Sequence, residues 1–207
     1  ALAAETDYTA AYNADGTVSI VLIEGGKGDG ATNLTVSGKM VDTSKVTAAD
    51  IVGGVDIATG AETGLEVVRQ VYPKLGMTPG ILTAPRYSAD ATVCAALQAK
   101  TKEINGVFKC VCIVDVDSGA DGARKYADVK EQKERQALTD PNAYGVWGYG
   151  AVGKVLYSGS ALASALTAYT DAANDDIPSN PSNKTIAISA MCLADSTEVL
   201  LDQDQAN

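Results

Sequence analysis

Three glycines and a lysine in the chain have the spacing of a nucleotide-binding loop. Gly148, Gly150 and Gly153 in GVWGYGAVGKV match the dinucleotide pattern. Gly148, followed after four residues by Gly153 and Lys154, also forms most of a phosphate-binding P-loop. A P-loop needs Ser or Thr directly after its lysine to hold magnesium, and a helix that begins there and faces the phosphates. Val155 follows instead, within the strand-like KVLYSGS. We therefore interpret these glycines as residues that turn the chain.

A second candidate site is the pair of carboxylates Asp115 and Asp117 in CIVDVDSG. Aspartates at the carboxyl end of a strand are magnesium ligands in many phosphatases. Together with the Gly148–Lys154 loop they define an alternative function, a magnesium-dependent phosphoryl or nucleotide hydrolase. The structural interpretation, which we favour, is that both aspartates end the strand and begin a turn, with their side chains capping local amides.

Composition excludes several other kinds of site. The chain of 207 residues contains no histidine, which removes Ser-His-Asp and Cys-His catalysis and imidazole metal sites. A net charge of −10 opposes binding to a phosphate backbone, and the basic stretch ARKYADVKEQKER is interspersed with acids. Asp171, Asp175 and Asp176 are typical of a solvated helix end more than of a cation site. We therefore predict no catalytic, cofactor-binding or metal-binding residue, and no nucleic-acid partner.

Cysteine spacing and the two ends of the chain indicate its context. Cys94, Cys110, Cys112 and Cys192 do not have the spacing of a disulfide scaffold or a zinc knuckle, so we predict buried, reduced thiols. No apolar run approaches the ~18 residues of a membrane span, which predicts no membrane partner. The opening ALAAETDYTA and the closing STEVLLDQDQAN, which resembles an interrupted helix, lead us to expect a piece of a longer protein.

Residues 1–46 are predicted to form a small β-rich segment. TDYTAAYN and TVSIVLI have the composition of strands, ADG between them is typical of a hairpin turn, and TNLTVSGKMV predicts a further strand. GGKGDG is either a Gly-rich connecting loop, which we favour, or an anion-binding nest.

Residues 47–207 are predicted to form a layered α/β domain with a mixed, largely parallel sheet. GILTAP, VFKCVCIVDV and KTIAISAM predict strands, and ALASALTAYTDAAN predicts a helix. GLEVVRQVYPKLG predicts a helix that Pro73 breaks or ends. Ser88 is the predicted N-cap of the helix in ADATVCAALQAKTKEI.

Several phrases, taken in order, are more specific than any catalytic motif. They are VTAADIVGGVDIATGAETGLEVV (46–68), PGILTAPRYS (79–88), CIVDVDSG, SALASALTAYTDAANDDIPSNPSNKTI (160–186) and EVLLDQDQAN. Each resembles the corresponding segment of contractile phage tail sheath proteins, from about residue 46 to the end. Residues 1–46 match that family poorly, where peripheral insertions are expected.

The resemblance implies a structural subunit and not an enzyme. Proteins of that family assemble around an inner tube and contract by lattice rearrangement, in phages, in phage-like bacteriocins and prophages, and more distantly in type VI secretion systems. Its implied partners are copies of itself, the tail tube and baseplate proteins, with no cofactor. The implied location is the bacterial cytoplasm during assembly and then the virion tail. The family's C-terminal polymerisation region has no counterpart here, so we expect a proteolytic or truncated piece that is largely monomeric by itself.

Overall fold

A computed structural model describes residues 1–12, 17–37 and 42–202. The chain divides into two compact units, one made of residues 1–43 with 153–155, the other of residues 44–152 with 156–207. Each unit has its own secondary structure.

The first unit is built on an antiparallel hairpin. Strand β1 (Tyr8–Tyr12) pairs with β2 (Val18–Leu22), with Tyr8 opposite Leu22. Both predicted strands are confirmed, whereas the predicted ADG turn lies outside the described residues. The strand predicted in TNLTVSGKMV is absent over residues 32–37, which pair with no other strand, and its residues 38–41 lie outside the described chain.

The Gly-rich loop of the first unit is held by carboxylates of the chain itself. Asp7 accepts hydrogen bonds from the amides of Ala3 and Lys27, at 2.8 and 2.9 Å, and Asp29 accepts one from the amide of Gly25 at 2.8 Å. The two bonds to backbone amides lower the pKa of Asp7. Two loop amides that an anion-binding nest would offer are therefore already occupied.

The second unit is a mixed α/β fold, as predicted. In chain order its elements are α1 (Ala48–Val52), β3 (Gly54–Val55), β4 (Glu62–Thr63), α2 (Val71–Leu75), β5 (Ile81–Thr83), α3 (Ala91–Lys102), β6 (Val111–Val116), α4 (Val129–Arg135), β7 (Ala143–Trp147), β8 (Tyr149–Val152), β9 (Val155–Ser158, whose first residue clusters with the first unit), α5 (Gly159–Ala172) and β10 (Ala190–Cys192). Short 3₁₀ helices include Gly64–Gln70, Tyr87–Ala89 and Tyr126–Asp128.

A parallel three-stranded sheet forms the centre of this unit. Its order is β5-β6-β7, with Leu82 beside Cys112 and Val114 beside Gly145. Five of the six residues of β6 are buried, because strands of a parallel sheet are covered on both faces. The core is formed by buried residues of α3 (Val93, Cys94 and Leu97) packed with those of β6 (Cys112 and Val114). Strands β3 and β4 form an antiparallel pair, and β8 lies between β10 and β9, antiparallel to β10.

Two predicted helix boundaries are wrong. Pro73 lies inside α2, which continues to Leu75 and ends at left-handed Gly76. A proline in a first helical turn is tolerated because its missing N–H has no intrahelical acceptor there. The N-cap of α3 is Asp90, not Ser88: the Asp90 carboxylate accepts the amides of Thr92 and Val93.

The end of the chain also differs from the prediction. The last strand, β10, is only three residues long and begins six residues later than KTIAISAM suggested. Residues 196–202 are not helical; instead the Val199 amide donates to the Met191 carbonyl and Glu198 bridges to Cys192, so the chain folds back beside β10. Among the described residues, no helix combines the length and apolar content that crossing a bilayer requires.

Candidate functional site

The carboxyl end of the parallel sheet is where open α/β sheets bind their ligands. Asp115 lies there, near the end of the central strand β6, and is 1% exposed. Its Oδ1 accepts the Ser160 amide at 2.8 Å. Its Oδ2 accepts the Arg86 amide at 2.8 Å and the Ser160 hydroxyl at 2.9 Å. Both carboxylate oxygens of Asp115 are thus engaged by donors of the protein itself.

Two serines bring distant parts of the chain to this carboxylate. Ser88, in the turn after β5, donates its hydroxyl to Asp115 Oδ2 at 3.1 Å and accepts the Asp115 amide at 2.8 Å. Ser160 lies in the first turn of the 14-residue α5, whose N-cap is Ser158. A carboxylate is favoured at a helix N-terminus, where free amides and the helix dipole meet it. Among the described contacts, hydrogen-bond donors and no ion pair therefore compensate the charge of Asp115.

Buried glutamines extend this arrangement to α4. Gln136, 2% exposed, donates to the Asp115 carbonyl at 3.0 Å and accepts the Asp117 amide at 2.9 Å. Gln132 donates in turn to Gln136, at 3.4 Å. We call the set Ser88, Asp115, Gln136 and Ser160 the Asp115 network. It ties β6 to α5, to the turn after β5 and to the end of α4, so it is a structural clamp.

The structural interpretation of the two aspartates is confirmed for Asp117 only. Asp117 begins a turn and accepts the Gly119 amide at 2.8 Å, as the structural interpretation predicted. For Asp115 that interpretation is wrong, because its side-chain partners are 27 to 45 residues away in the chain. Within residues 1–12, 17–37 and 42–202, no three or more His, Cys, Asp or Glu residues lie close enough together to hold a metal.

Three glycines of GVWGYGAVGKV are explained by the local structure. Gly148 has φ +90°, and a Cβ there would lie 2.6 Å from the Met191 methyl carbon. A Cβ on Gly150 would lie 2.5 Å from Leu162 Cδ1. Gly153, with φ +61°, and Lys154 form the turn between β8 and β9. The next helix begins only at residue 159, so strand-turn-strand replaces the strand-turn-helix of a phosphate loop, as predicted.

Two further polar side chains border the clamp. Arg86 is exposed and has φ +70°, a conformation that non-glycine residues seldom adopt, and its amide is the one bonded to Asp115. Tyr149 is half-buried; burial and then the negative charge of Asp115 raise the pKa of its hydroxyl. Neither residue was singled out from sequence, since only the fold places them near Asp115.

The remaining candidates from the sequence have structural roles. Asp171 accepts the Ser179 amide at 2.8 Å, and Asp175 and Asp176 have φ near +60°, so these acids shape the turn after α5. All four cysteines are free and buried, as predicted. Burial raises the pKa of Cys112 to about 12, which keeps its thiol protonated.

Comparison with known proteins gives one informative similarity. The chain is 35% identical over 78 residues to the tail sheath protein of Burkholderia phage BcepMu. The aligned stretch covers 38% of this chain and only 16% of that sheath protein. No protein-family model matches the chain. The similarity agrees with the resemblance read from the sequence phrases, and it is to a protein named for a phage tail structure.

Proposed function

We propose that this chain is part of a structural subunit of a contractile phage tail sheath, or of a related phage-like bacteriocin or prophage particle, and that it transforms no substrate. The observation that carries the proposal is the 35% identity over 78 residues to a phage tail sheath protein. The five sequence phrases that resemble the sheath family in chain order agree with it.

The Asp115 network supports a mechanical role. A lattice that contracts needs subunits that move as nearly rigid bodies, so that small changes in contacts add up to a large displacement. A buried polar network rigidifies the elements it joins when its groups are paired, as the carboxylate of Asp115 and the side-chain amide of Gln136 are, although Gln132 Oε1 beside it has no partner among the described residues. Here the Asp115 network joins β6 to α5, to the turn after β5, and to the residue that follows α4.

The proposed partners follow from the same role. They are copies of the same protein in a helical or ring-stacked sheath, the tail tube and the baseplate, with assembly in the bacterial cytoplasm and a final location in the virion tail. Residues 1–46 are proposed to be a peripheral insertion and residues 47–207 the sheath-like domain. This chain by itself is proposed to be largely monomeric.

Negative-stain imaging of the full-length gene product tests the proposal. The expected result is hollow, striated cylinders, in an extended or a contracted form. Full-length protein that stays dispersed under conditions where it is folded, with no cylinders over a range of salt and protein concentrations, contradicts the proposal. Gel filtration of the 207-residue chain supplies a second check, because large ordered tubes formed by this chain alone would contradict its proposed monomeric state.

A further inference from the structure

A short loop of the second unit presents a completely exposed isoleucine. Ile57 lies between β3 and β4 and is 100% exposed. The loop is nevertheless tightly held: Asp56 Oδ1 accepts the amides of Ala58 and Thr59, at 2.8 and 3.3 Å. The backbone of Asp56 also bonds to Gly60 and Ala61, at 2.7 and 2.8 Å. A structured loop thus keeps an apolar side chain in water, beside an acidic one. We call residues 56–61 the Ile57 loop.

The same unit contains a cleft of complementary character. It measures about 450 Å³, its apolar lining includes Tyr126, Val129 and Leu138, and Lys130 and Lys133 also line it. Tyr126 is 50% exposed. With Glu134, the third charged residue of the lining, the cleft carries a net charge of +1 (two lysines minus one glutamate) in a chain whose net charge is −10. We call it the α4 cleft.

We infer that the Ile57 loop of one copy docks into the α4 cleft of a second copy. Ile57 supplies the apolar contact with Tyr126, Val129 and Leu138, and Asp56 faces the lysines. Full exposure of Ile57 means that the two features do not meet within one chain. Because the two surfaces differ, the contact is head-to-tail and propagates from copy to copy. The inference rests on the proposed self-assembling role and names the surfaces that it would use.

The contact is small, and exposed ion pairs contribute little to it, so it is transient in a dilute solution of the isolated chain. Disulfide trapping detects such contacts. Ala58→Cys places a thiol beside Ile57 and leaves the isoleucine in place, and Thr139→Cys places one in the cleft lining and leaves both lysines in place. The native cysteines are buried and do not compete. Thr92→Cys is the matched control, an exposed threonine outside the cleft.

The two single variants are mixed as folded 207-residue chains and oxidised. We expect Ala58→Cys to cross-link to Thr139→Cys at least about tenfold faster than to Thr92→Cys, since a specific contact raises the effective concentration of the paired thiols. Adding Ile57→Asp to the first chain, or Lys130→Glu with Lys133→Glu to the second, returns the rate to that of the control. Ile57 is fully exposed, so its substitution leaves the circular dichroism spectrum unchanged.

Equal rates for Thr139→Cys and Thr92→Cys overturn the inference, as does fast cross-linking that Ile57→Asp leaves unchanged. The outcome is distinguishable from a failure of the proposed function. The full-length protein with both Ala58→Cys and Thr139→Cys separates the two. If it assembles into cylinders but does not cross-link, this contact is wrong and the sheath role stands. Absence of cylinders rejects the sheath role whatever the cross-linking shows.

Discussion

Ser160 donates both its backbone amide and its hydroxyl to the carboxylate of Asp115, at 2.8 and 2.9 Å, across 45 residues of sequence. The pair joins the first turn of α5 to the end of the central strand. It places a buried negative charge at a helix N-terminus, where the charge is stabilised by donors and not by a counter-ion. We therefore expect the stability of the second unit to depend on a residue that resembles a catalytic acid in the sequence.

Replacing Asp115 by Asn should destabilise the second unit by about 3 kcal/mol, because an amide group would face donors that are left unpaired and buried. Asp117→Asn is the matched control: Asp117 is less buried and its side chain accepts only the nearby Gly119 amide among the described contacts, so about 1 kcal/mol or less is expected. Urea unfolding followed by circular dichroism measures both. Similar losses for the two variants would show that the Asp115 network is not a clamp.

Gly150→Ala should destabilise the fold by about 1–3 kcal/mol through overpacking. The added methyl would lie 2.5 Å from Leu162 Cδ1 and 2.8 Å from Ile188 Cγ2, and the second of these belongs to a β-branched side chain that cannot easily turn away. Gly80→Ala is the control, because a Cβ there meets no atom within 4 Å and φ is not positive. Thermal unfolding should leave the control within about 0.5 kcal/mol of the parent protein. An unchanged Gly150→Ala variant would contradict the packing role of this glycine.

ATP, NAD and magnesium should leave the melting temperature unchanged. A ligand at 100 times its dissociation constant stabilises a folded protein by about 2.7 kcal/mol, which a thermal shift assay detects easily. Strand β9 follows Lys154 where a phosphate loop requires a helix, so no stabilisation is expected. A saturable shift that Lys154→Ala removes would instead favour the hydrolase alternative built on Asp115, Asp117 and the Gly148–Lys154 loop.

Acid should weaken the turn after β10. The Arg124 guanidinium, 2.9 Å from Asp195, and the Thr197 hydrogen bonds lower the pKa of Asp195 from 3.8 to about 2. Because the folded-state pKa is depressed, the stabilisation is present above pH 3.8 and is lost as the pH falls towards 2. Asp195→Asn should therefore melt at a lower temperature than the parent at pH 6, and the difference should disappear near pH 2.

Asp121→Asn is the control for this titration, since Asp121 is exposed and forms no ion pair among the described contacts. Its melting temperature should follow that of the parent at every pH. If the difference in melting temperature between Asp195→Asn and the parent persists unchanged at pH 2, the effect does not come from the charge of Asp195.

Local sequence determined the types of most elements. The short run VCIVDV, rich in β-branched residues, indicates a buried strand, and ALASALTAY has the composition of a packed helix, so β6 and α5 were predictable. The failure of the P-loop was predictable as well, because Val155 follows the lysine where magnesium needs a hydroxyl. The mixed α/β class followed from the order of these elements.

Tertiary structure alone decided what the polar residues do. Serine is a residue type favoured at helix N-caps, yet Asp90 caps α3, and Ser88 instead donates its hydroxyl to the buried Asp115. No local pattern shows that Ser88 and Ser160, 27 and 45 residues from Asp115, will meet its carboxylate. A buried charge needs hydrogen-bond donors, and the fold brings them from separate parts of the chain: Ser88 from the connection between β5 and β6, and Ser160 from α5, which follows β9. The clamp therefore exists only once the chain has folded.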